Sequence, residues 1–106
     1  DDSKVYGNAQ IFEDAIIRNN AQVYGNAKVY CEAEIRDDAK VFGNAEVYDN
    51  ALIENDAKVY DDAEICGDAW IYGNSKVYGK AQVKGNSEVY GQVFGEACVG
   101  WLGSSL

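Results

Sequence analysis

Histidine is absent from the 106 residues of the chain, and this absence limits the chemistry that its side chains can perform. Histidine is the most common general base, so a Ser–His or Cys–His nucleophile pair is excluded. The three cysteines, Cys31, Cys66 and Cys98, lack the close spacing of zinc ligands. Because three is an odd number, they cannot all pair within one chain, and we expect three free thiols. We therefore predict no catalytic, cofactor-binding or metal-binding residue, and we expect a protein that is not an enzyme.

Acidic and amide side chains return every six residues, and their oxygens are the ligands that a hard cation such as calcium prefers. The members that would stack into columns are Asp14, Glu32, Asn50 and Asp68, and separately Asp38 and Asp56. The alternative is that Asp and Asn occur there because they form turns. The nine-residue Gly/Asp period of calcium-binding β-rolls is absent, which favours the turn interpretation.

A six-residue repeat runs from Val5 to Val93 without a gap, and it must position all of these side chains. The unit reads aliphatic, variable, Gly or Asp, Asn or Asp, Ala, variable. All fifteen first positions are Val or Ile, and the fifth position is Ala in twelve of the fifteen units. A fixed short period predicts a fold of stacked units in which each unit contacts only its neighbours.

The period of six fits a short strand and a corner better than an α-helix, which needs apolar residues at i, i+3, i+4 and i+7. Val, Ile and Tyr favour strands, whereas Gly, Asn and Asp at the third and fourth positions tolerate the positive φ of a bend. The second-position residues of every third unit are all aromatic, namely Tyr6, Tyr24, Phe42, Tyr60 and Tyr78. We therefore predict an all-β, triangular parallel solenoid of about five coils, with three hexapeptides in each coil.

The pattern aliphatic-x-x-(Asn/Asp)-(Ala/Ser)-x, from Val5 to about Val99, resembles the hexapeptide-repeat proteins, such as the bacterial acyltransferases and the γ-class carbonic anhydrases. The resemblance implies a left-handed parallel β-helix; general rules for β crossovers favour the opposite hand. In that family the acyltransferases use a general-base His, and the carbonic anhydrases bind zinc through three His. Neither set can be placed on a chain without His, and the family's loop insertions and long C-terminal helix are also absent.

The repeat changes phase once, at Val93, where the unit begins two residues early. We expect this slip to shorten one corner of the last coil. The predicted divisions are an N-terminal edge at 1–4, a hexapeptide-repeat solenoid at 5–92, and a frame-shifted last hexapeptide with a C-terminal cap and tail at 93–106.

Both ends of the predicted core need cover, because stacked repeats require capped termini. Trp101 and Leu102 are expected to fold over one end. At the other end Asp1 and Asp2 offer only charge, so we expect an open N-terminal edge. A chain that starts at Asp1 rather than Met is also expected to be a processed protein or an excised fragment.

Two outward columns are candidate interaction surfaces. The aromatic column Tyr6 to Tyr78 could stack sugar rings or dock another chain, or it could simply cover the corner backbone. The second candidate lies on the outward column Ile16, Glu34, Leu52, Trp70 and Glu88, where exposed Ile16, Leu52 and Trp70 have no role in the repeat. We expect homo-oligomers through an apolar face or through the open N-terminal edge, and carbohydrate is the weaker candidate partner.

A third column, Lys40, Lys58 and Lys76, is basic and lies next to Asp38 and Asp56. We interpret it as an alternating-charge surface that favours solubility and register.

The net charge of −9 disfavours nucleic acid and anionic membranes as partners, because both carry charge of the same sign. No apolar run approaches the length of a transmembrane helix, which is about 18 residues or more. With no signal-peptide pattern and an odd number of cysteines, the cytoplasm is slightly favoured.

Three functional hypotheses follow. The main hypothesis is a non-catalytic structural, spacer or interaction module. The second is a repeat domain or fragment of an acyltransferase-like hexapeptide-repeat protein whose catalytic residues are missing. The third is an engineered or fragmentary β-helix for the study of folding or self-assembly.

Overall fold

The computed structural model describes residues 2–100, which form seventeen two-residue strands joined by turns. Wall A consists of β1 (Lys4–Val5), β4 (Gln22–Val23), β7 (Lys40–Val41), β10 (Lys58–Val59), β13 (Lys76–Val77) and β16 (Gln92–Val93). Wall B consists of β2 (Gln10–Ile11), β5 (Lys28–Val29), β8 (Glu46–Val47), β11 (Glu64–Ile65), β14 (Gln82–Val83) and β17 (Cys98–Val99). Wall C consists of β3 (Ile16–Ile17), β6 (Glu34–Ile35), β9 (Leu52–Ile53), β12 (Trp70–Ile71) and β15 (Glu88–Val89).

Each wall is a parallel sheet in which residues at the same position of the repeat unit pair with one another, so that Val and Ile pair with Val and Ile inside the coil. Val23 pairs with Val5 below it and with Val41 above it, so one coil takes three hexapeptide units. The predicted all-β solenoid of about five coils with three walls is confirmed, and the described part measures 33 × 24 × 20 Å. The left-handed sense stays a prediction.

The core is a column of small and branched aliphatic side chains. From Ala21 to Ala69 every first and fifth position is 0–1% exposed. Alternate residues of a strand point to opposite faces, which places the first position inside and the sixth outside. The first described coil is less covered, and its Val5 is 46% exposed.

The predicted phase change appears as a corner of two residues instead of four. Val77 pairs with Val93, two positions earlier than an unbroken repeat would place its partner, because only Tyr90 and Gly91 connect β15 to β16. Ser75 occupies a fifth position directly below this corner and is 1% exposed. Its hydroxyl accepts the N–H of Gly91 at 2.9 Å, and it lies 2.6 Å from the carbonyl oxygen of Tyr72. The predicted cap, Trp101 and Leu102, lies outside the described residues.

The bends are concentrated at the third position of each unit. Every non-Gly residue with positive φ in the described chain is a third-position residue, at φ 59–61°, and the fourth-position Asn and Asp residues are not among them. The expectation that the fourth position shares the left-handed backbone was wrong. Glu13 and Cys31 adopt this conformation although their side chains disfavour it.

Third-position Asp and Asn side chains also bond to the coil above. A carboxylate oxygen of Asp49 accepts the N–H of Gly67 at 3.0 Å, and the amide oxygen of Asn55 accepts that of Gly73 at 3.0 Å. The carboxylate of Glu13 accepts the N–H of Cys31 at 3.0 Å. These residues therefore satisfy a backbone donor one coil away, in addition to forming the bend.

Candidate functional site

Wall A carries a continuous column of stacked aromatic rings. Adjacent ring centroids from Tyr6 to Tyr78 are 4.9–5.0 Å apart, with interplanar angles of 2–4°. The structure brings together all five predicted members and adds Phe94, whose ring lies 5.5 Å from that of Tyr78. Phe94 was not predicted as a member, because the phase change places it two positions earlier than the regular repeat would.

This stacking limits what the aromatic column can bind. A sugar ring or planar ligand binds an aromatic side chain through a free ring face. Inside the column each face lies against a neighbouring ring, so the outward contacts are ring edges and phenol oxygens. Burial is also the main cause that raises the pKa of Tyr24 and of Tyr60. This arrangement supports the structural interpretation of the column over sugar stacking along it.

Wall B carries a shorter column of Phe12, Tyr30 and Tyr48, with centroids 4.8 and 5.0 Å apart. The Tyr30 hydroxyl donates to Glu46 at 3.4 Å, and the Tyr48 hydroxyl donates to Glu64. Burial, followed by the charge and hydrogen bond of Glu46, raises the pKa of Tyr30 to about 12. Each phenol is thus held in its neutral form over a carboxylate of the next coil.

The predicted apolar patch on wall C is interrupted by charge. Ile16 is 50% and Trp70 is 36% exposed, and Leu52 is half-buried. Glu34 stands between Ile16 and Leu52 in the strand register, so the three residues do not form one continuous surface. The indole N–H of Trp70 donates to the carboxylate of Glu54.

That carboxylate belongs to a chain of ion pairs along wall C. Arg18 lies 2.8 Å from Glu34, and Arg36 lies 3.5 Å from Glu34 and 2.7 Å from Glu54. Glu54 is 8% exposed, and both of its oxygens have partners in this chain. Two of the three pairs, Arg18–Glu34 and Arg36–Glu54, join side chains of successive coils, so they hold the coils together and leave these groups satisfied.

The predicted acidic column forms an open groove of about 780 Å³ at the corner between walls B and C. Its lining residues are Glu13, Asp14, Cys31, Glu32, Asp49, Asn50, Gly67 and Asp68. Within residues 2–100 no three His, Cys, Asp or Glu side chains are grouped in a way that could hold a metal ion. Glu13 and Asp49, which lie beside the predicted column, accept backbone N–H groups, which accounts for their presence at a bend. All three cysteines of the chain are free.

The predicted basic column lies at the edge of wall A. Lys40, Lys58 and Lys76 line a groove of about 410 Å³ with Asp38, Asp56 and Asn74. In the described part of the chain none of these lysines lies within ion-pair distance of a carboxylate. We call these six residues the charged strip.

No helix in the described range is long and apolar enough to cross a membrane. Comparisons of this chain with protein-family models, curated proteins and solved structures find no match.

Proposed function

We propose that this chain is a non-catalytic β-solenoid module that acts as a structural spacer or holds partners at fixed positions. The observation that carries the proposal is the unbroken series of equal coils. From Val5 to Val89 no unit contains an inserted residue, and the side-chain columns keep a spacing close to 5 Å. A surface built in this way repeats one arrangement of groups at regular heights.

The backbone connections between coils support a rigid rod. The N–H of Tyr24 donates to Val41 at 3.0 Å, and the N–H of Asn26 donates to Gly43 at 2.8 Å, so strands and corners are both bonded to the coil above. The pattern repeats along most of the described chain. Such a rod transmits a fixed distance between its ends, which is what a spacer requires.

The chain is further proposed to be related in fold to the left-handed hexapeptide-repeat β-helices. Support comes from the hexapeptide pattern together with the three-walled coil. A crystal structure that gave a right-handed coil would refute this relation.

A distance measurement tests the spacer role. Gln10 and Gln82 lie on wall B four coils apart, so spin labels on cysteines at these positions should have backbones separated by about 19 Å, at about 4.8 Å per coil. The background replaces the native thiols with Cys31→Gly, Cys66→Ser and Cys98→Ser. A narrow distance distribution supports a rigid spacer, and a broad one contradicts it.

An activity measurement tests the non-catalytic part of the proposal. Without histidine, the chain is expected to give no acyl transfer from acyl-coenzyme A to amine or hydroxyl acceptors above the background rate without protein. Transfer that depends on the concentration of the purified chain would instead support an acyltransferase-like domain.

A further inference from the structure

The charged strip contains charges of both signs that lack partners within the described chain. Lys40, Lys58 and Lys76 form one column, in which the Cα atoms of successive lysines are paired in the sheet. Asp38 and Asp56 form a second column at the adjoining corner, and both are exposed. Across residues 2–100 these carboxylates accept no side-chain hydrogen bond and form no ion pair.

The charges of wall C behave differently. Arg18, Glu34, Arg36 and Glu54 are linked within the chain by a series of three ion pairs. The strip therefore differs from this charged column in having the capacity to pair with groups of another molecule.

We propose that the charged strip is the contact surface for a second copy of this chain, in a parallel two-fold dimer. A two-fold axis parallel to the solenoid axis, between the two columns, places the lysine column of one copy opposite the aspartate column of the other. Heights are unchanged by this rotation. Lys40 of one copy then faces Asp38 of the other, Lys58 faces Asp56, and Lys76 faces Asn74. The same contacts recur with the copies exchanged, as in any isologous interface.

The composition of the strip favours this partner over a polyanion. A linear polyanion would be attracted by the lysines and repelled by the aspartates beside them. A second copy offers both signs, at the same spacing of one coil. The net charge of −9 opposes any association of two copies, so a stable pair needs a face on which opposite charges meet, as they do on the charged strip.

This inference names a partner for the proposed module, and charge exchange tests it. One variant carries Lys40→Glu, Lys58→Glu and Lys76→Glu, and the other carries Asp38→Lys and Asp56→Lys. In a two-fold dimer either variant alone places like charges opposite each other. Mixed together, they place Glu and Asp of one variant opposite Lys of the other. Sedimentation equilibrium at submillimolar protein and low salt is expected to show dimers for the wild type, monomers for each variant alone, and heterodimers for the mixture.

A matched control moves the same number of charges elsewhere. Lys28→Glu, Lys80→Glu and Lys84→Glu change the net charge as much as the first variant does, but they lie off the strip. This control is expected to keep the dimer, and high salt should weaken it through screening. Thermal melting establishes that each variant is folded.

A monomeric wild type at every concentration would overturn the dimer. So would a dimer that survives the strip variants, or a mixture without heterodimers. None of these outcomes bears on the spacer role, which the spin-label distance tests separately.

Discussion

Replacement of Ser75 by alanine distinguishes the structural account from an argument based on the repeat alone. Alanine occupies twelve of the fifteen fifth positions, so agreement with the consensus suggests that Ser75→Ala is neutral or stabilising. The structure predicts the opposite, because the Ser75 hydroxyl accepts the Gly91 N–H at 2.9 Å and lies within bonding distance of two carbonyl oxygens. These contacts bridge the only corner of the described chain that has two residues.

The expected loss follows from the bonds removed. The hydroxyl donates once and accepts once, and each net hydrogen bond contributes about 1 kcal/mol. Ser75→Ala should therefore lower the free energy of unfolding by about 2 kcal/mol. For a domain of this size, each kcal/mol corresponds to a fall in Tm of about 4–8 °C.

Urea denaturation followed by tyrosine and tryptophan fluorescence measures this change. The control background inserts Asn-Ala between Gly91 and Gln92, which restores a regular unit and moves the Gly91 N–H away from Ser75. There the substitution should lower the free energy of unfolding by only about 1 kcal/mol, because the hydroxyl has already lost the Gly91 bond and still donates to the Tyr72 carbonyl oxygen. An unchanged or more stable Ser75→Ala protein, or equal losses in both backgrounds, would refute the role assigned to the hydroxyl.

Three further predictions concern the core, a corner and a phenol. Ala45→Leu should overpack the fully buried interior and lower the free energy of unfolding by about 1–3 kcal/mol, so an unchanged urea midpoint would contradict the filled core. Gly67→Ala should destabilise more than Gly95→Ala in thermal melts. The Cβ added at Gly67 would lie 2.6 Å from a backbone nitrogen of the next coil, whereas the one added at Gly95 has no atom of the described residues within 4 Å. Both glycines have positive φ, so equal losses would count against the close approach. Burial and the carboxylate of Glu46 raise the pKa of Tyr30 to about 12. The phenol should therefore contribute stability that is fully present below about pH 10 and is lost as the pH rises towards 12. Absorbance titration of the folded protein, compared with Tyr30→Phe, would disprove this if the phenol titrated near about 10.

Periodicity predicted which residues lie above one another. Tyr6 and Tyr24 stack because they occupy the same position in units one coil apart, and the all-β parallel solenoid follows from the same spacing. The phase change at Val93 was also visible in the sequence, but its consequence for Phe94 was missed. A slip of two residues moves every later side chain into a new column, so the three-unit rule fails beyond it.

Contacts between side chains at different positions of the repeat unit were not predictable from the repeat spacing. The bond from Trp70 to Glu54 joins residues that are 16 apart, two positions short of a full coil. Glu54 occupies a second position, and its side chain turns back over the sixth-position column of the same wall, where Trp70 lies. The same geometry joins Tyr30 to Glu46. It depends on rotamers and on the neighbours of each side chain. The position of Glu34 between Ile16 and Leu52, by contrast, follows from the 18-residue spacing and was visible in the sequence.

Disulfide trapping tests the central claim, which is that residues one coil apart are direct neighbours on one wall. In the background without native thiols, cysteines at positions 58 and 76 should oxidise readily to a disulfide within one chain, since the Cα atoms of Lys58 and Lys76 are paired and a disulfide needs about 4.4–6.8 Å between Cα atoms. Cysteines at positions 76 and 92 should also oxidise, because the shortened corner pairs Lys76 with Gln92. No such disulfide is expected for positions 58 and 70, which lie on different walls. Rapid oxidation of the 58–70 pair, with the 58–76 pair remaining reduced, would contradict the three-walled coil.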